Sequence, residues 1–331
     1  MARVLVTGGA GFIGSHVADA LIGRGHEVVV LDDLSGGFRD NVPAAARLVT
    51  ASVSDAGAVD GLFAQTSLEY VYHLAAYAAE GLSHFIRRFN YTNNVIGSVN
   101  LINAAVNHDV KGFVFASSIA VYGGTAGTFS EDTPPHPEDP YGIAKLAVEQ
   151  DLRCARDMFG LRSIVFRPHN VYGPRQNIGD RYRNVVGIFM NQILHGRPMT
   201  IFGDGTQTRA FSYVDDVAPV MAEAIEQDTA WDQVFNVGAD QPFTLNQLAS
   251  EVAAAMGVEP QVVHLPARSE VRDAYSSHER LTAVFGARQA TTLQDGLARM
   301  AAWARAHGAR SGTVFDGIEV ERNLPAAWRS V

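Results

Sequence analysis

Three residues with complementary chemistry lie in the stretch between positions 113 and 145. Ser118 closely follows the apolar run FVFA, and Tyr141 and Lys145 are four residues apart in YGIAKLAVEQDL. Residues four apart lie on the same face of an α-helix. A tyrosine hydroxyl titrates near pH ~10, so it accepts a proton at neutral pH only where positive charge lowers its pKa. Lys145 would supply that charge, and Ser118 would hydrogen-bond the substrate hydroxyl that Tyr141 deprotonates.

A tyrosine and a lysine at this spacing are also an ordinary surface pair on a helix. The composition favours chemistry, because Lys111 and Lys145 are the only lysines in a chain whose Lys and Arg residues total 26. A sequence that otherwise uses arginine has kept a lysine four residues after Tyr141. We therefore predict that Ser118, Tyr141 and Lys145 are catalytic.

A glycine-rich turn near the N-terminus predicts a site for a dinucleotide. The buried-strand pattern VLVT is followed by GGAGFIGSHVADALIG, in which Gly8, Gly11 and Gly14 are three residues apart. Glycines at these positions let the backbone approach a pyrophosphate and let the following helix pack on the strand. The helix N-terminus then offers free N–H groups and a positive dipole end to the phosphates.

An acidic residue at the end of the second strand selects the cofactor. Asp32 ends the run EVVVLD, 18 residues after Gly14. A carboxylate at this point can accept hydrogen bonds from the adenosine ribose and repels a 2′-phosphate. This indicates NAD rather than NADP. Asp33 fits a solvated loop acid better, although we include it among the cofactor-binding residues.

Composition narrows the class of protein. The net charge of −9 and the pI of about 5.6 argue against nucleic acid as a partner. One cysteine, Cys154, excludes an internal disulfide and a cysteine-rich metal site, so we expect no metal, and we expect Cys154 to be buried in a helix. No apolar run reaches the ~18 residues that a membrane span needs, and we expect no leader before the first strand. We expect a soluble, cytoplasmic protein without membrane contact.

Strand and helix patterns alternate along the first half of the chain, which predicts an α/β fold. We expect a Rossmann-type doubly wound parallel sheet with a smaller C-terminal α/β lobe for the substrate. The NAD-binding domain is predicted to span residues 1–167 together with roughly 213–240. The second lobe would comprise residues 168–212 and 241–331. The tail from 311 to 331 shows no recognisable chemistry.

Together, SSIAVYG, PYGIAK and the glycine turn resemble the extended short-chain dehydrogenase/reductases. Within that group the chain is most similar to the nucleotide-sugar epimerase family typified by UDP-galactose 4-epimerase. The resemblance covers nearly the whole chain. It implies NAD as cofactor, a nucleotide-sugar substrate, most simply a UDP-sugar, and a homodimer built through a four-helix bundle.

The resemblance also assigns binding residues. The family carries an adenine-binding aspartate where this chain has Ser52, which leaves Asp55 as a substitute. The residues it implies for the cofactor are Gly8, Gly11, Phe12, Ile13, Gly14, Asp32, Asp33, Leu74, Ala75, Ala76, Asn94, Tyr141 and Lys145. Those it implies for the substrate are Ser118, Tyr141, Asn170, Asn184, Phe202, Arg209 and Arg268, with the two arginines as pyrophosphate clamps.

The residues after Ser118 discriminate among the reactions of the family. Sugar 4,6-dehydratases carry an Asp-Glu pair there and UDP-glucuronate decarboxylases a glutamate, whereas this chain has Ile119 and Ala120. Simple redox chemistry needs only Ser118, Tyr141, Lys145 and NAD, so we predict C4 epimerisation through a 4-keto sugar. A net dehydrogenase or 4-ketoreductase, and a non-catalytic NAD-binding protein, remain as alternatives.

The sugar itself is left open between a UDP-hexose and a UDP-hexuronate. A carboxylate substrate would need a nearby cation, for which Arg175 is a candidate. The segment containing Ala274 and Tyr275 resembles the region whose bulk limits the sugar pocket in relatives. A small Ala274 would admit an acetamido group and Tyr275 would exclude it.

Overall fold

The structure is a computed structural model that describes residues 1–124, 128–268, 271–311 and 315–329, with the backbone alone at 273 and 274. It contains strands and helices in the alternating order that the sequence predicts. The strands are β1 (Arg3–Thr7), β2 (Glu27–Asp32), β3 (Arg47–Thr50), β4 (Tyr70–His73), β5 (Gly112–Ala116), β6 (Ser163–Pro168), β7 (Val171–Tyr172), β8 (Met199–Phe202), β9 (Thr208–Ala210), β10 (Ser212–Tyr213), β11 (Val234–Val237), β12 (Pro242–Thr244), β13 (Val262–Leu265) and β14 (Asp273–Ala274).

The helices surround the sheet and build most of the second lobe. They are α1 (Phe12–Gly23), α2 (Ala56–Gln65), α3 (Glu80–Ser83), α4 (Arg87–Tyr91), α5 (Gly97–Asn107), α6 (Pro140–Phe159), α7 (Val185–Leu194), α8 (Val214–Glu223), α9 (Leu245–Met256), α10 (Glu279–Phe285) and α11 (Leu293–His307). A π-helical turn, Thr92–Ile96, joins α4 to α5, and a 3-10 turn, Ile119–Tyr122, follows β5.

Seven parallel strands form the main sheet in the order β11-β6-β5-β4-β1-β2-β3. The order reverses between β1 and β4, which places a crevice at the carboxyl ends of these strands. Thr7 at the end of β1 pairs with Leu31 on one side and His73 on the other. The glycine turn, Asp32 and Leu74 therefore lie side by side at the carboxyl ends of these strands. The predicted Rossmann-type sheet is confirmed.

Side chains alternate between the two faces of the sheet because the strand period is two residues. Val6 packs with Val17 of α1 and Val217 of α8 on one face. Leu5 packs with Leu101 of α5 and Leu152 of α6 on the other. α6, which carries Tyr141 and Lys145, therefore packs on the sheet through a continuous apolar layer.

The second lobe has its own core, formed by α7, α9 and α11 against short strands. β8 pairs with β13, and β9 lies between β12 and β14. A capping box at Thr244 and Gln247 begins α9, and Gly257 ends it in the left-handed region. Phe285 of α10 packs instead in the core that contains Val6 of the main sheet, although it lies within the range expected for the second lobe.

The expected burial of Cys154 is wrong. Cys154 lies in α6, but its side chain is exposed. The helical period turns Leu152 and Ala155 toward the sheet, and the intervening positions face outward.

Two kinds of feature are absent from the parts of the chain that the structure describes. Within them, no helix combines the length and the hydrophobicity needed to cross a membrane. Within the same residues, no group of three or more histidine, cysteine or acidic side chains could hold a metal ion.

The glycine turn supplies a first prediction. A Cβ on Gly14 would lie 2.1 Å from the Gly8 carbonyl oxygen, so Gly14→Ala must displace backbone. We expect this variant to lose about 1–3 kcal/mol of unfolding free energy, as overpacked positions do, measured by urea denaturation followed by circular dichroism.

Gly23, at the end of the same helix, has no atom within 4 Å of the added Cβ and is the matched control. Gly23→Ala should be neutral or stabilising by up to about 1 kcal/mol, because alanine costs less backbone entropy in a helix. Equal denaturation midpoints for the two variants would contradict the close approach at Gly14.

Candidate active site

The three predicted catalytic residues converge at the carboxyl end of β5. Tyr141 and Ser118 line the same cavity wall, and the Lys145 ammonium lies 5.8 Å from the centre of the Tyr141 ring. Lys145 Nζ donates a 2.7 Å hydrogen bond to the Ala116 carbonyl, which fixes its position. Ser118 Oγ accepts from the Ala120 N–H at 3.1 Å. A hydroxyl placed against Ser118 and Tyr141 would meet both partners at once.

Burial is the largest cause of the pKa shifts of Lys145 and Tyr141. Burial lowers the pKa of Lys145 to about 7, with the Glu149 carboxylate acting in the opposite direction. The pKa of Tyr141 is raised, first by burial and then by the Glu80 carboxylate, while the hydrogen bond from Ser118 lowers it. The expectation that Lys145 depresses the Tyr141 pKa does not hold for the protein alone, because desolvation outweighs a lysine that is itself only partly charged at neutral pH.

The N-terminus of α6 is fixed by a strong cap. The Asp139 carboxylate accepts hydrogen bonds from the N–H groups of Tyr141 and Gly142, both at 2.9 Å. Pro140 occupies the first helical position, where its missing N–H costs nothing. Asn90 of α4 donates to the Pro140 carbonyl at 2.9 Å. The cap holds Tyr141 at the first turn of a rigid helix.

A buried ion pair fixes the middle of the same helix. Arg167 of β6 donates to both oxygens of Glu149 at 3.0 and 2.6 Å, and both side chains are buried. Ser117, next to the predicted catalytic residue Ser118, donates to the same carboxylate. Arg167 also donates to the Tyr122 hydroxyl at 2.7 Å. This network ties α6, β6 and the turn after β5 into one unit.

A cavity of about 350 Å³ lies along the carboxyl edge of the main sheet, within the size range of small-molecule sites. The structure brings almost all of the predicted cofactor residues to its wall. They are Gly8, Gly11, Phe12, Ile13, Gly14, Asp32, Asp33, Leu74, Ala75, Ala76, Tyr141 and Lys145, and Ser118 lies beside them.

The residues of this cavity fit a dinucleotide. A Cβ on Gly8 would lie 2.7 Å from the Ala75 amide nitrogen, so the turn leaves room only for bare backbone. Gly11 begins α1 without a side-chain cap, which leaves the first-turn N–H groups for a phosphate. Asp32 accepts from the Ala10 and Leu34 N–H groups at 3.0 and 2.8 Å, so its carboxylate is fixed at the cavity edge.

Asn94 has a different place from the other predicted cofactor residues. Its side chain is buried and does not line the cavity. It accepts from the Tyr77 N–H at 2.9 Å and donates to the Tyr77 carbonyl at 3.2 Å. Asn94 therefore fixes the loop after β4, which forms the cavity wall, rather than facing the cavity itself.

A second cavity of about 690 Å³ adjoins the first, and both the smaller lobe and the segments around α3 and the start of α6 line it. Phe202, Arg209 and Arg268 line it, as the prediction for the substrate requires. Asn170 and Asn184 line both cavities and so mark the junction. Both asparagines have positive φ, a strained conformation that persists where the surrounding structure fixes it.

The two predicted phosphate clamps are held in different ways. Arg209 donates to the carbonyls of Thr208, Arg272 and Val271, the first two at 2.8 Å. Arg268 places its guanidinium carbon 4.4 Å from the centre of the Phe202 ring. Both arginines are thereby fixed at the wall of the second cavity.

Among the wall residues that the sequence reasoning missed, three have side chains suited to a role at the site. Glu80, in the first turn of α3, lines both cavities and acts on the Tyr141 hydroxyl through its charge. Arg183 lines both, pairs with Asp180 at 2.6 Å and lies over the Tyr77 ring at 4.8 Å. Trp328 lines the second cavity from the C-terminal tail. Only Glu80 had a usable signal, as an acid just after the strand that leads to the cofactor.

Other candidates lie elsewhere. Asp55 caps α2 through the Ala58 N–H at 3.0 Å, while Ser52 bonds Ser54, so neither lines the cavity. Arg175 pairs with Asp19 at 2.6 Å, away from both cavities, because a left-handed turn directs it to α1. Tyr275 lines neither cavity, and the Ala274 side chain lies outside the described part of the chain.

His73 is a packed strand residue at the end of β4. Its ring is hydrogen-bonded to the hydroxyls of Thr7 at 2.7 Å and Ser98 at 2.8 Å. Burial and the nearby Lys145 hold its pKa well below the usual range.

Comparison with known proteins gives a consistent match. The model of the NAD dependent epimerase/dehydratase family matches residues 4–238. A UDP-glucose 4-epimerase of Mycolicibacterium smegmatis is 37% identical over 306 residues, which cover 90% of this chain and 96% of that protein.

Two solved structures share the fold. UDP-glucose 4-epimerase of Thermotoga maritima, solved with UDP-glucose, aligns with a TM-score of 0.87 and 36% identity, covering 92% of this chain and 99% of its own. UDP-glucuronic acid 4-epimerase of Bacillus cereus, solved with UDP-glucuronic acid and NAD, aligns with a TM-score of 0.84 and 28% identity, with the same coverage of 92% and 99%.

The depressed pKa of Lys145 yields a second prediction. The unfolded chain holds the lysine proton up to its ordinary pKa, whereas the folded protein releases it near pH 7. Burying the charge thus penalises the folded state fully below about pH 7, and the penalty fades as pH rises toward the unfolded pKa. Lys145→Met should therefore be stabilised by roughly 1–3 kcal/mol at pH 6 and progressively less above pH 7, measured by urea denaturation.

Lys111→Met is the matched control, since Lys111 is exposed and pairs with Glu69 at the surface. It should show no such gain at any pH. A gain from Lys145→Met that does not vary with pH would contradict the assigned cause.

Proposed function

The chain belongs to the NAD-dependent epimerase/dehydratase family, and within it we propose a nucleotide-sugar 4-epimerase that acts on a neutral UDP-hexose. It uses NAD as cofactor and inverts C4 through a transient 4-keto sugar. The observation that carries this proposal is the composition of the catalytic group. Ser118, Tyr141 and Lys145 line one cavity wall, and the positions that follow Ser118 are the buried, apolar Ile119 and Ala120. This set supports oxidation and reduction, and those two positions offer no acid or base for elimination or decarboxylation.

The side chains divide the proton transfer between them. Ser118 holds the sugar 4-hydroxyl against Tyr141, whose hydroxyl oxygen accepts the proton as C4 becomes a carbonyl. Lys145, fixed on the Ala116 carbonyl, stabilises the resulting tyrosinate by its charge. Gly8, Gly11 and Asp32 at the wall of the first cavity would hold NAD, which when bound would supply reversible hydride transfer at C4. Tyr141 gives the proton back when the hydroxyl re-forms.

Inversion requires the sugar to turn while the rest of the substrate stays bound. Asn170 and Asn184 stand at the junction of the cavities, and Arg209 and Arg268 at the far wall of the second. We assign the two arginines to the diphosphate, whose oxygens match a guanidinium fork. Strong binding of this remote group leaves the sugar ring free to present either face to the cofactor.

Charges near Tyr141 favour a neutral sugar over a hexuronate. The Glu80 carboxylate is close enough to Tyr141 to raise its pKa, so a sugar carboxylate would meet a like charge. Arg175, the candidate partner for that carboxylate, is paired with Asp19 outside the cavities. Arg183 lines both cavities and is already paired with Asp180.

We also propose a homodimer that works in the cytoplasm. The single cysteine fits a reducing compartment. Ile96 and Ile143, on neighbouring helical segments of one face, are 50% and 43% exposed. A second copy covering this face would bury both side chains in a symmetric interface.

The function is tested by following each purified sugar nucleotide with the protein by proton NMR. UDP-glucose should convert to an equilibrium mixture with UDP-galactose without net formation of NADH, and UDP-glucuronate should react far more slowly. Tyr141→Phe should lower the rate by about 10²–10⁴, since it removes the proton acceptor.

Tyr70→Phe is the control, because Tyr70 starts β4 at the opposite sheet edge and stacks on Trp231. It should retain the wild-type rate. Keto product with stoichiometric NADH would identify a dehydrogenase instead, and faster turnover of UDP-glucuronate would reject the neutral sugar.

The dimer is tested by light scattering after size-exclusion chromatography. The wild-type protein should have twice the chain mass, and Ile143→Glu should be a monomer, because a charge at a buried interface is costly. Val258→Glu, at an equally exposed valine that follows α9, should remain a dimer. A monomeric wild-type protein at micromolar concentration would refute the proposal.

A further inference from the structure

The C-terminal tail crosses both lobes. Phe315 packs between the rings of Tyr77 and Phe89, with ring centres 5.5 and 4.8 Å away. Its N–H donates to the hydroxyl of Tyr182, which lies in the segment leading to α7. One residue of the tail thus contacts the loop that walls the first cavity and the segment that walls the second.

A few residues on, the tail is pinned to α4. The Glu319 carboxylate accepts hydrogen bonds from the N–H groups of Arg88 and Phe89, both at 2.8 Å. The N–H groups of Glu319 and Val320 donate to the Phe85 carbonyl at 2.8 and 3.2 Å. A carboxylate at a helix N-terminus that satisfies two first-turn donors is a specific attachment.

The attached tail places Trp328 against the second cavity. Trp328 is 4% exposed, and its ring centre lies 5.4 Å from that of Tyr182 and 6.3 Å from that of Phe202. A Cβ on Gly81 would lie 3.0 Å from its ring, so the indole packs tightly against the backbone at Gly81. Trp328 and Ala327 both line the cavity.

Arg268 lies against the same ring. Its guanidinium carbon is 5.4 Å from the centre of Trp328 and 4.4 Å from that of Phe202. Cation–π contacts with two rings, one from β8 and one from the tail, restrict the orientation of the guanidinium. A guanidinium held over rings keeps N–H donors at its edge for a bidentate contact with phosphate.

We propose that Trp328 is a positioning residue for the nucleotide-sugar diphosphate, acting by holding Arg268 at the wall of the second cavity. The tail from 315 to 329 serves as the clasp that places it there. The inference rests on the proposed function for the identity of the diphosphate. It assigns affinity for the nucleotide to a segment far in sequence from the catalytic residues.

The test combines binding and turnover. Trp328→Ala should weaken binding of UDP about tenfold or more by isothermal titration calorimetry. It should raise KM for UDP-glucose by a similar factor while kcat stays within about threefold. Trp328→Phe, which keeps an aromatic ring, should recover most of the affinity. Trp303→Ala is the control, since Trp303 stacks on His307 in the same lobe and lines neither cavity. It should leave both constants unchanged.

A double-mutant cycle with Arg268→Met isolates the assigned role. In that background Trp328→Ala should change UDP binding by less than twofold, because the group that it positions is gone. An undiminished tenfold loss there, or normal UDP binding by Trp328→Ala alone, would overturn the proposal.

Binding of UDP does not require the reaction to occur. The proposed reaction and the proposed role of Trp328 can therefore be refuted independently. A wild-type protein that binds UDP without epimerising UDP-glucose would refute the proposed reaction, and the effect of Trp328 on binding would still decide the inference. A wild-type protein that binds neither UDP nor dTDP would refute the diphosphate assignment and the role of Trp328 with it.

Discussion

The buried ion pair between Glu149 and Arg167 is the interaction on which the site depends. It joins α6 to β6, and through Ser117 and Tyr122 it also holds the turn that presents Ser118. A buried pair of this kind adds little to stability compared with apolar residues of the same shape. What it contributes here is placement, since the two elements that must meet at the substrate are fixed by one carboxylate. Loss of either partner would leave an uncompensated charge beneath the catalytic residues.

The burial that fixes Tyr141 and Lys145 also disfavours the charged forms of both side chains. Removing Tyr141 and Lys145 from water raises the pKa of the phenol and lowers that of the ammonium, so both tend toward their neutral forms. Glu149 opposes the change at Lys145 by its charge. A positively charged nicotinamide beside the phenol would act on Tyr141 in the favourable direction. In the proposed mechanism Tyr141 is therefore a poor proton acceptor in the protein alone, and a bound cofactor would improve it.

Local patterns predicted the parts of the fold that local chemistry determines. The run VLVT followed by spaced glycines predicted β1, the turn and α1, and the run EVVVLD predicted β2. Gly8, Asp32 and Tyr141 were chosen because each belongs to a local motif, and all three line the first cavity. Residues whose role comes from long-range packing could not be found in this way. Trp328 is remote in sequence from Phe202 and Arg268, and no spacing rule connects them. Asn94 and Arg175 are the opposite case. Their residue types suggested contact with a ligand, but tertiary contacts hold both side chains away from the cavities.

The scarcity of lysine gives this protein an unusual spectroscopic property. Lys145 is buried against the Ala116 carbonyl and Lys111 is exposed at the surface, and the chain has no other lysine. Isotope labelling confined to lysine would therefore produce two side-chain signals in widely different surroundings. One of them would report the charge on the group beside the proton acceptor, free of overlap from the rest of the molecule. The protonation state of the catalytic pair, which in most enzymes is inferred from rates, can in this chain be read directly from one resonance.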